Sequence, residues 1–339
     1  MVYKQKLYLL SGIVGFLTII YVLTIAFDPE RVGTRTAAYT WLESRFRDQI
    51  DALEIYGPQG AVKLVRKNDV WFVAADGAAS MPSPAGAGSS ASPAEYPARQ
   101  ARIDDLLGIL TRRGAWPVQA SSPAAHERLG LTEAAASRIT VRGGAGLPLL
   151  DLLAGNGDIT GRDIYLRKAG QNEVRSGEDR LSGYIAGSRS SWYKLRLFPE
   201  SEDGSLDVDI VQRLTVYPPE GEPPLIFTRA GDHWSIGGAE FTEPDKNKVD
   251  TYIRFILNIE GEDFVSAEVA GAGFKEPALA GEGRVVLELG DGSIRSIRIG
   301  EAQGESNQRH AAVSGSPYVY ALASWSADRI FREASSFEK

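Results

Sequence analysis

Cysteine is absent from the 339-residue chain. That removes disulfides, thiolate zinc sites, iron–sulfur clusters and cysteine nucleophiles together, along with lipid attachment to a cysteine behind a signal peptide. Histidine is nearly absent, with only His126, His233 and His310. Each stands in a polar or turn-like stretch with no HxxH, HExxH or DxH pairing. A metal site needs several ligands converging on one point, so these are expected to be lone surface histidines, and no metal or cofactor is expected. Basic charge is in deficit, 37 Lys and Arg against 44 Asp and Glu, for a formal net charge of −7. The basic residues are scattered and form no stripe that could displace counterions from phosphates, so nucleic acid is set aside as a partner.

One long uncharged run is present. Leu7 to Phe27 reads LYLLSGIVGFLTIIYVLTIAF. A helix rising about 1.5 Å per residue needs roughly 20 apolar residues to cross a ~30 Å hydrocarbon core. Lys4 and Lys6 precede the run, while Asp28 and Glu30 follow it, which sets the N-terminus inside and the remainder outside. The run exceeds the ~7–15 residues of a signal peptide core and lacks an A-x-A-like cleavage site. Residues 1–27 are therefore expected to be a cytoplasmic tip and a single transmembrane anchor. Residues 28–49, with Tyr39, Trp41, Leu42 and Phe46, are expected to form a juxtamembrane helix.

The remainder reads as a duplication. IDALEIYG from Ile50 resembles VQRLTVYP from Val211, and each is followed by an apolar strand and a tryptophan strand holding Trp71 or Trp234. Next come IDDLLGIL (Ile103 to Leu110) and VDTYIRFI (Val249 to Ile256), with apolar residues at helical spacing. Strand pairs follow, SRITVRGG with LPLLDLLAG and RVVLELGDG with SIRSIRIGE, and Asp291-Gly292 is a hairpin signal. Val174 to Ile185 matches Val319 to Ile330 without a gap. The expected fold class is α+β: an N-terminal transmembrane helix, then two tandem repeats with mainly antiparallel sheets and two helices each. The repeats are expected at 50–200 and 208–331, with a tail at 332–339. The Ala/Ser/Pro-rich stretch 76–97 is expected to be a disordered loop in the first.

An anchor followed by an L-x-I strand, a W-x-V strand, a helix, L-G-L, a strand hairpin and V-x(10)-I resembles the bacterial family called domain of unknown function 4340. The residues carrying the likeness are Leu53-Glu54-Ile55, Trp71-Phe72-Val73, Leu129-Gly130-Leu131, Tyr165, Val174 and the segment Trp192 to Phe198 ahead of Ile210. The resemblance implies a place beside gliding-motility-type ABC transporter components, and it implies no catalytic residues.

Three motifs invite chemistry. Ser191 and Lys194 have the S-x-x-K spacing of penicillin-binding enzymes, but S-D-N and K-T-G companions are missing and WYKLRLF reads as a strand. Gly155 to Gly161 is glycine-rich but misses the dinucleotide spacing and leads into a strand, so a hairpin loop is expected. Glu200, Glu202, Asp203, Asp207 and Asp209 lack the order of a calcium loop and are expected to be solvated. Trp71 and Trp234 are expected in the core. Trp192, Tyr193, Arg196 and Phe198 are the candidate partner interface, because aromatics and Arg are enriched in binding hot spots.

The expected function is a non-enzymatic extracytoplasmic accessory subunit of an ABC-type transport or envelope-assembly complex, with permease and ATPase subunits as partners. The expected location is the bacterial inner membrane, with the soluble part in the periplasm or outside. The alternative is an envelope structural or glycan-binding protein acting without a transporter.

Overall fold

The computed structural model describes residues 16–18, 38–74, 95–202, 204–219, 222–237, 243–265, 282–303 and 307–339. By proximity the chain divides into two compact units. Unit 1 takes in Met1–Trp71 and Gln100–Arg189, and unit 2 takes in Phe72–Arg99 and Ser190–Lys339.

Unit 1 opens on the short strand β1 (Ala38–Tyr39) and the hairpin β2 (Ile50–Gly57) and β3 (Gly60–Lys67). After β4 (Val70–Ala74) and β5 (Glu95–Pro97) come helix α1 (Gln100–Thr111), β6 (Gly114–Ala115), β7 (Val118–Ala120) and the short α2 (Ala124–Arg128). The meander β8 (Ser137–Gly143), β9 (Pro148–Gly157), β10 (Asp163–Lys168) and β11 (Val174–Glu178) precedes a single turn, α3 (Ser182–Ile185). The strands lie in the order β3-β2-β8-β9-β10-β11-β7. Inward positions of β2 and β8 alternate as sheet geometry requires, with Leu53, Ile55, Ile139 and Val141 at 1% exposure or less.

Unit 2 has β12 (Val211–Tyr217), β13 (Leu225–Ala230), β14 (His233–Gly237), helix α4 (Lys246–Leu257) and β15 (Asp263–Val265). Then follow β16 (Gly283–Leu289), β17 (Ile294–Gln303), β18 (Gln308–Val313), β19 (Val319–Leu322) and α5 (Ser324–Ile330). Its sheet order, β14-β13-β12-β16-β17-β18-β19-β15, repeats that of unit 1 from β13 to β15, with β14 beside β13 as β4 is beside β3. Both long helices bury one stripe: Ile103, Leu106, Leu107 and Leu110 in α1, and Val249, Tyr252, Ile253, Ile256 and Leu257 in α4. Each such side chain contributes roughly 1.5–3 kcal/mol of transfer free energy. Trp71 and Trp234 are buried on β4 and β14.

The α+β class is corrected. The described residues are mostly antiparallel β-sheet, and helices are few: α1 and α4 run to 12 residues each, while α2 and α3 are one-turn pieces of 5 and 4. Val174 to Ile185 shows why. Its first five residues pair as β11 and leave only Ser182–Ile185 for a helical turn. The N-terminal transmembrane helix is not part of the observed architecture: among the described residues no helix is long and apolar enough to cross a membrane. Of the expected anchor only Phe16–Thr18, which are helical, fall within the described residues.

The juxtamembrane helix is likewise corrected over residues 38–49. That stretch is β1, paired to β6, and a 3-10 turn, Ser44–Gln49. Trp41 and Leu42 are buried, and the Leu42 amide donates to the Leu110 carbonyl. Its aromatics serve the core and form no amphipathic stripe. Of the expected loop 76–97, Glu95–Pro97 is strand, pairing with β4 through Phe72↔Pro97, Val73↔Tyr96 and Ala74↔Glu95. The rest of that loop lies outside the described residues.

Residues 332–339 are not a loose tail. Ala334–Phe337 forms a 3-10 turn that buries Phe337, and the Phe337 carbonyl accepts from the Asp245 amide at 2.8 Å. The 3-10 turn Arg189–Trp192 does the same with the Arg99 amide and the Trp192 carbonyl, at 2.7 Å. The residue after each turn bridges to the residue two before a long helix: Tyr193 to Ala98, and Glu338 to Pro244. Ser190-Ser191-Trp192 and Ser335-Ser336-Phe337 are thus two copies of one clasp.

Candidate functional site

The four candidate interface residues lie on the stretch that follows the first clasp. It is not the expected strand: isolated bridges pin it at Tyr193 and at Arg196, the latter to Glu260. Backbone bonds Leu197 N–H to Ile259 O (3.0 Å) and Gly261 N–H to Leu195 O (2.9 Å) hold it in place. Trp192, Tyr193 and Phe198 are 0%, 4% and 1% exposed, so their rings serve packing within unit 2. Arg196 keeps part of its surface. Its guanidinium donates to Asn258 Oδ1 at 2.9 Å and pairs with Glu260 at 3.4 Å.

Two features draw these residues into a site. The first is a ring cluster centred on Phe264 of β15. Tyr96 stacks on it at 4.6 Å and 11°. Tyr193 meets it edge-on at 5.0 Å, and Tyr318 and Tyr320 flank it at 5.3 and 5.1 Å. The second is an adjoining pocket of about 320 Å³ whose lining includes Lys194, Arg196, Phe198, Arg295, Tyr318 and Tyr320. The turn Ser314 to Pro317 closes one side, with Gly315 at φ +78°, a conformation that favours glycine.

The cations at this pocket already have acidic partners. Lys194 pairs with Glu202 at 2.8 Å, Arg196 with Glu260, and Arg295 with Glu200 at 3.8 Å. Burial, assisted by the Glu95 charge, pushes the Tyr318 hydroxyl above its ordinary range. Burial likewise raises Tyr320. At neutral pH both are neutral donors at the edge of an apolar cluster. Most of these rings are buried, so what the pocket presents is the half-buried Tyr318 beside balanced charge, which suits docking of a polypeptide better than capture of an ion. Arg196 and Phe198 were legible in the sequence as part of it. Phe264, Tyr96 and Tyr318 were not, because they arrive from three separate segments; the Tyr-x-Tyr at 318–320 was the one available hint.

The other motifs resolve individually. Lys194 of the S-x-x-K pair is engaged with Glu202, and Ser191 sits in a 3-10 turn. The Gly155 to Gly161 stretch is the β9–β10 hairpin. There Asp158 accepts from the Arg162 and Asp163 amides and from the Thr160 hydroxyl, which hold its carboxyl down to about 2. The acidic residues diverge. Glu200 and Glu202 pair as above, Asp207 caps Val208 and Asp209 meets Arg229, while Asp203 lies outside the described residues. Among the described residues no group of three or more His, Asp or Glu could hold a metal ion. Two histidines depart from expectation. His126 and His310 are buried, His126 against the Asn172 carbonyl at 3.2 Å, because each falls on an inward position of its element.

Residues 89–277 match the family described as domain of unknown function DUF4340. The chain belongs to that family. The match takes in α1, the sheet β8 to β11, both clasp partners at 98–99 and 192–193, and unit 2 as far as α4 and β15. No curated protein matches the chain, and no solved structure does.

Proposed function

We propose that this DUF4340 protein is a non-enzymatic, extracytoplasmic accessory subunit of an ABC-type transport or envelope-assembly complex. The observation that carries the reading is the pocket beside the Phe264 cluster, where the half-buried Tyr318 lies next to cations already partnered by carboxylates. We read the site as one of recognition, and the permease or ATPase subunits of such a complex are the partners we assign to it. The uncharged run from Leu7 to Phe27, flanked by Lys4 and Lys6, supports a place at the bacterial inner membrane with both units outside. Such tethering raises the effective concentration of the docking surface beside a permease.

The test is mild crosslinking in intact cells, solubilisation, pulldown of the full chain and mass spectrometry of what comes with it. Transporter subunits are expected, and Tyr318→Ala combined with Arg295→Glu is expected to cut their recovery at least fivefold while the protein level stays unchanged. Repeated recovery of envelope material without any transporter subunit would move the assignment to the envelope structural alternative.

A further inference from the structure

Unit 1 contains a pocket of its own, about 420 Å³, whose lining includes Trp116, Gly177, Arg112, Asp163, Glu178 and Arg180. Its floor is rigid. A Cβ on Gly177 would lie 2.6 and 2.8 Å from carbons of the Trp116 ring, and one on Gly114 would lie 3.0 Å from its Nε1. The indole is therefore laid against backbone where only glycine leaves room, and Trp41 meets it edge-on at 5.3 Å.

The charges here contrast with those of the unit 2 pocket. Arg112 and Asp163 make no side-chain hydrogen bond or ion pair among the described residues. Glu178 and Arg180 hold each other at 2.7 Å, and both remain exposed at the rim. An uncommitted donor and an uncommitted carboxylate thus share one pocket with an indole. A simple anion would meet Asp163 and Glu178 as repulsion, and a cation would meet Arg112 and Arg180. A hydrocarbon would leave Arg112 and Asp163 unmatched, with the desolvation cost that follows. A neutral polyol ring fits: each hydroxyl both donates and accepts, and its C–H face covers an apolar wall. The volume falls in the range of about 300–1,000 Å³ usual for small-molecule sites.

We propose that the unit 1 pocket binds a saccharide of one or two sugar units, its hydroxyls held by Arg112 and Asp163 against the apolar surface around Trp116. The assignment goes beyond the docking reading and does not depend on it. Full-length protein in detergent micelles, titrated calorimetrically with chitobiose, cellobiose and maltose, tests it, with glycine and succinate as zwitterionic and dianionic controls. At least one disaccharide should bind with a Kd on the order of 1 mM or tighter. Asp163→Asn and Arg112→Ala should each weaken that binding tenfold or more while leaving the thermal midpoint unchanged. Three outcomes overturn the proposal: no binding of any of the three disaccharides, binding that neither variant weakens, or binding of the controls alone. Loss of transporter recovery in the crosslinking experiment leaves it untouched.

Discussion

The two units share one sheet order and differ at their edges. In unit 2 the last strand pair sets Phe264 opposite Tyr320. The corresponding pair in unit 1 sets Val118 opposite Arg175. The first arrangement gathers four tyrosines around a phenylalanine. In the second, Arg175 lies over the Tyr39 ring at 4.0 Å, with the Lys168 ammonium 5.6 Å from the same ring. The interior strands of both units carry ordinary aliphatic cores, so divergence after duplication has concentrated where a sheet ends. Edge strands owe the fewest hydrogen bonds to the fold and present the most surface. That is where two copies of one scaffold can acquire different recognition chemistry at little structural cost.

The sharpest way to break the comparison is to empty the ring cluster. Phe264→Ala is expected to cost unit 2 about 3–5 kcal/mol, read as a shift in urea midpoint. Val118→Ala, at the half-exposed unit 1 counterpart, should fall within about 0.5 kcal/mol. Equal losses at both positions would show that the Phe264 cluster adds nothing to its edge.

Helix capping gives a smaller contrast. Asp245 accepts from the Asn247 and Lys248 amides at 2.8 and 3.2 Å at the start of α4, whereas Arg99, ahead of α1, carries no acceptor. Asp245→Ala should destabilise unit 2 by about 1 kcal/mol, measured by the same denaturation. An unchanged midpoint would mean that packing alone holds α4.

The smallest effect is a pH dependence. Burial alone would raise the Asp250 carboxyl, but hydrogen bonds from Lys246 (2.6 Å) and Trp234 Nε1 (2.8 Å) outweigh it, and the group sits below its ordinary range. A folded-state value below the unfolded one, about 3.9, means that its stabilisation is complete above that value. It is lost as pH falls through the lowered folded-state value. In Asp250→Asn this part of the acid-side decline in unfolding midpoint should vanish; a decline identical to that of the parent would place the dependence elsewhere.

Much of the duplicated order is legible in the chain because hydrophobic alternation and the α1 and α4 stripes are periodic signals. The class is misread at segments such as Val174 to Ile185, where a short strand and a single helical turn share twelve mostly polar residues with no clear period. The Ser-Ser-aromatic clasps at 190–192 and 335–337 stand in plain view, yet three residues have no period and their role lies in pairing with distant backbone. Within the ring cluster and its pocket Tyr193, Arg196 and Phe198 could be found from composition. Phe264 and Tyr96 could not, since single aromatics in unrelated segments carry no sign of convergence. The unit 1 pocket depends on Gly114 and Gly177 lacking a Cβ beside one indole, a coincidence in space alone.

Unit 2 is discontinuous: the Lys194 amide donates to the Pro97 carbonyl at 2.8 Å, with all of Gln100–Arg189 between them in sequence. Residues 95–99 are therefore synthesised long before their partners at 192–194. Closing so distant a pair is entropically costly and slow relative to local hairpins. The second unit must mature last, its strand from the front of the chain waiting through the whole passage of the first. A truncation beginning at Ser190 would lack a piece of the fold it was meant to isolate, and an early stall in synthesis would leave that piece, with Tyr96 on it, open to misplaced strand pairing.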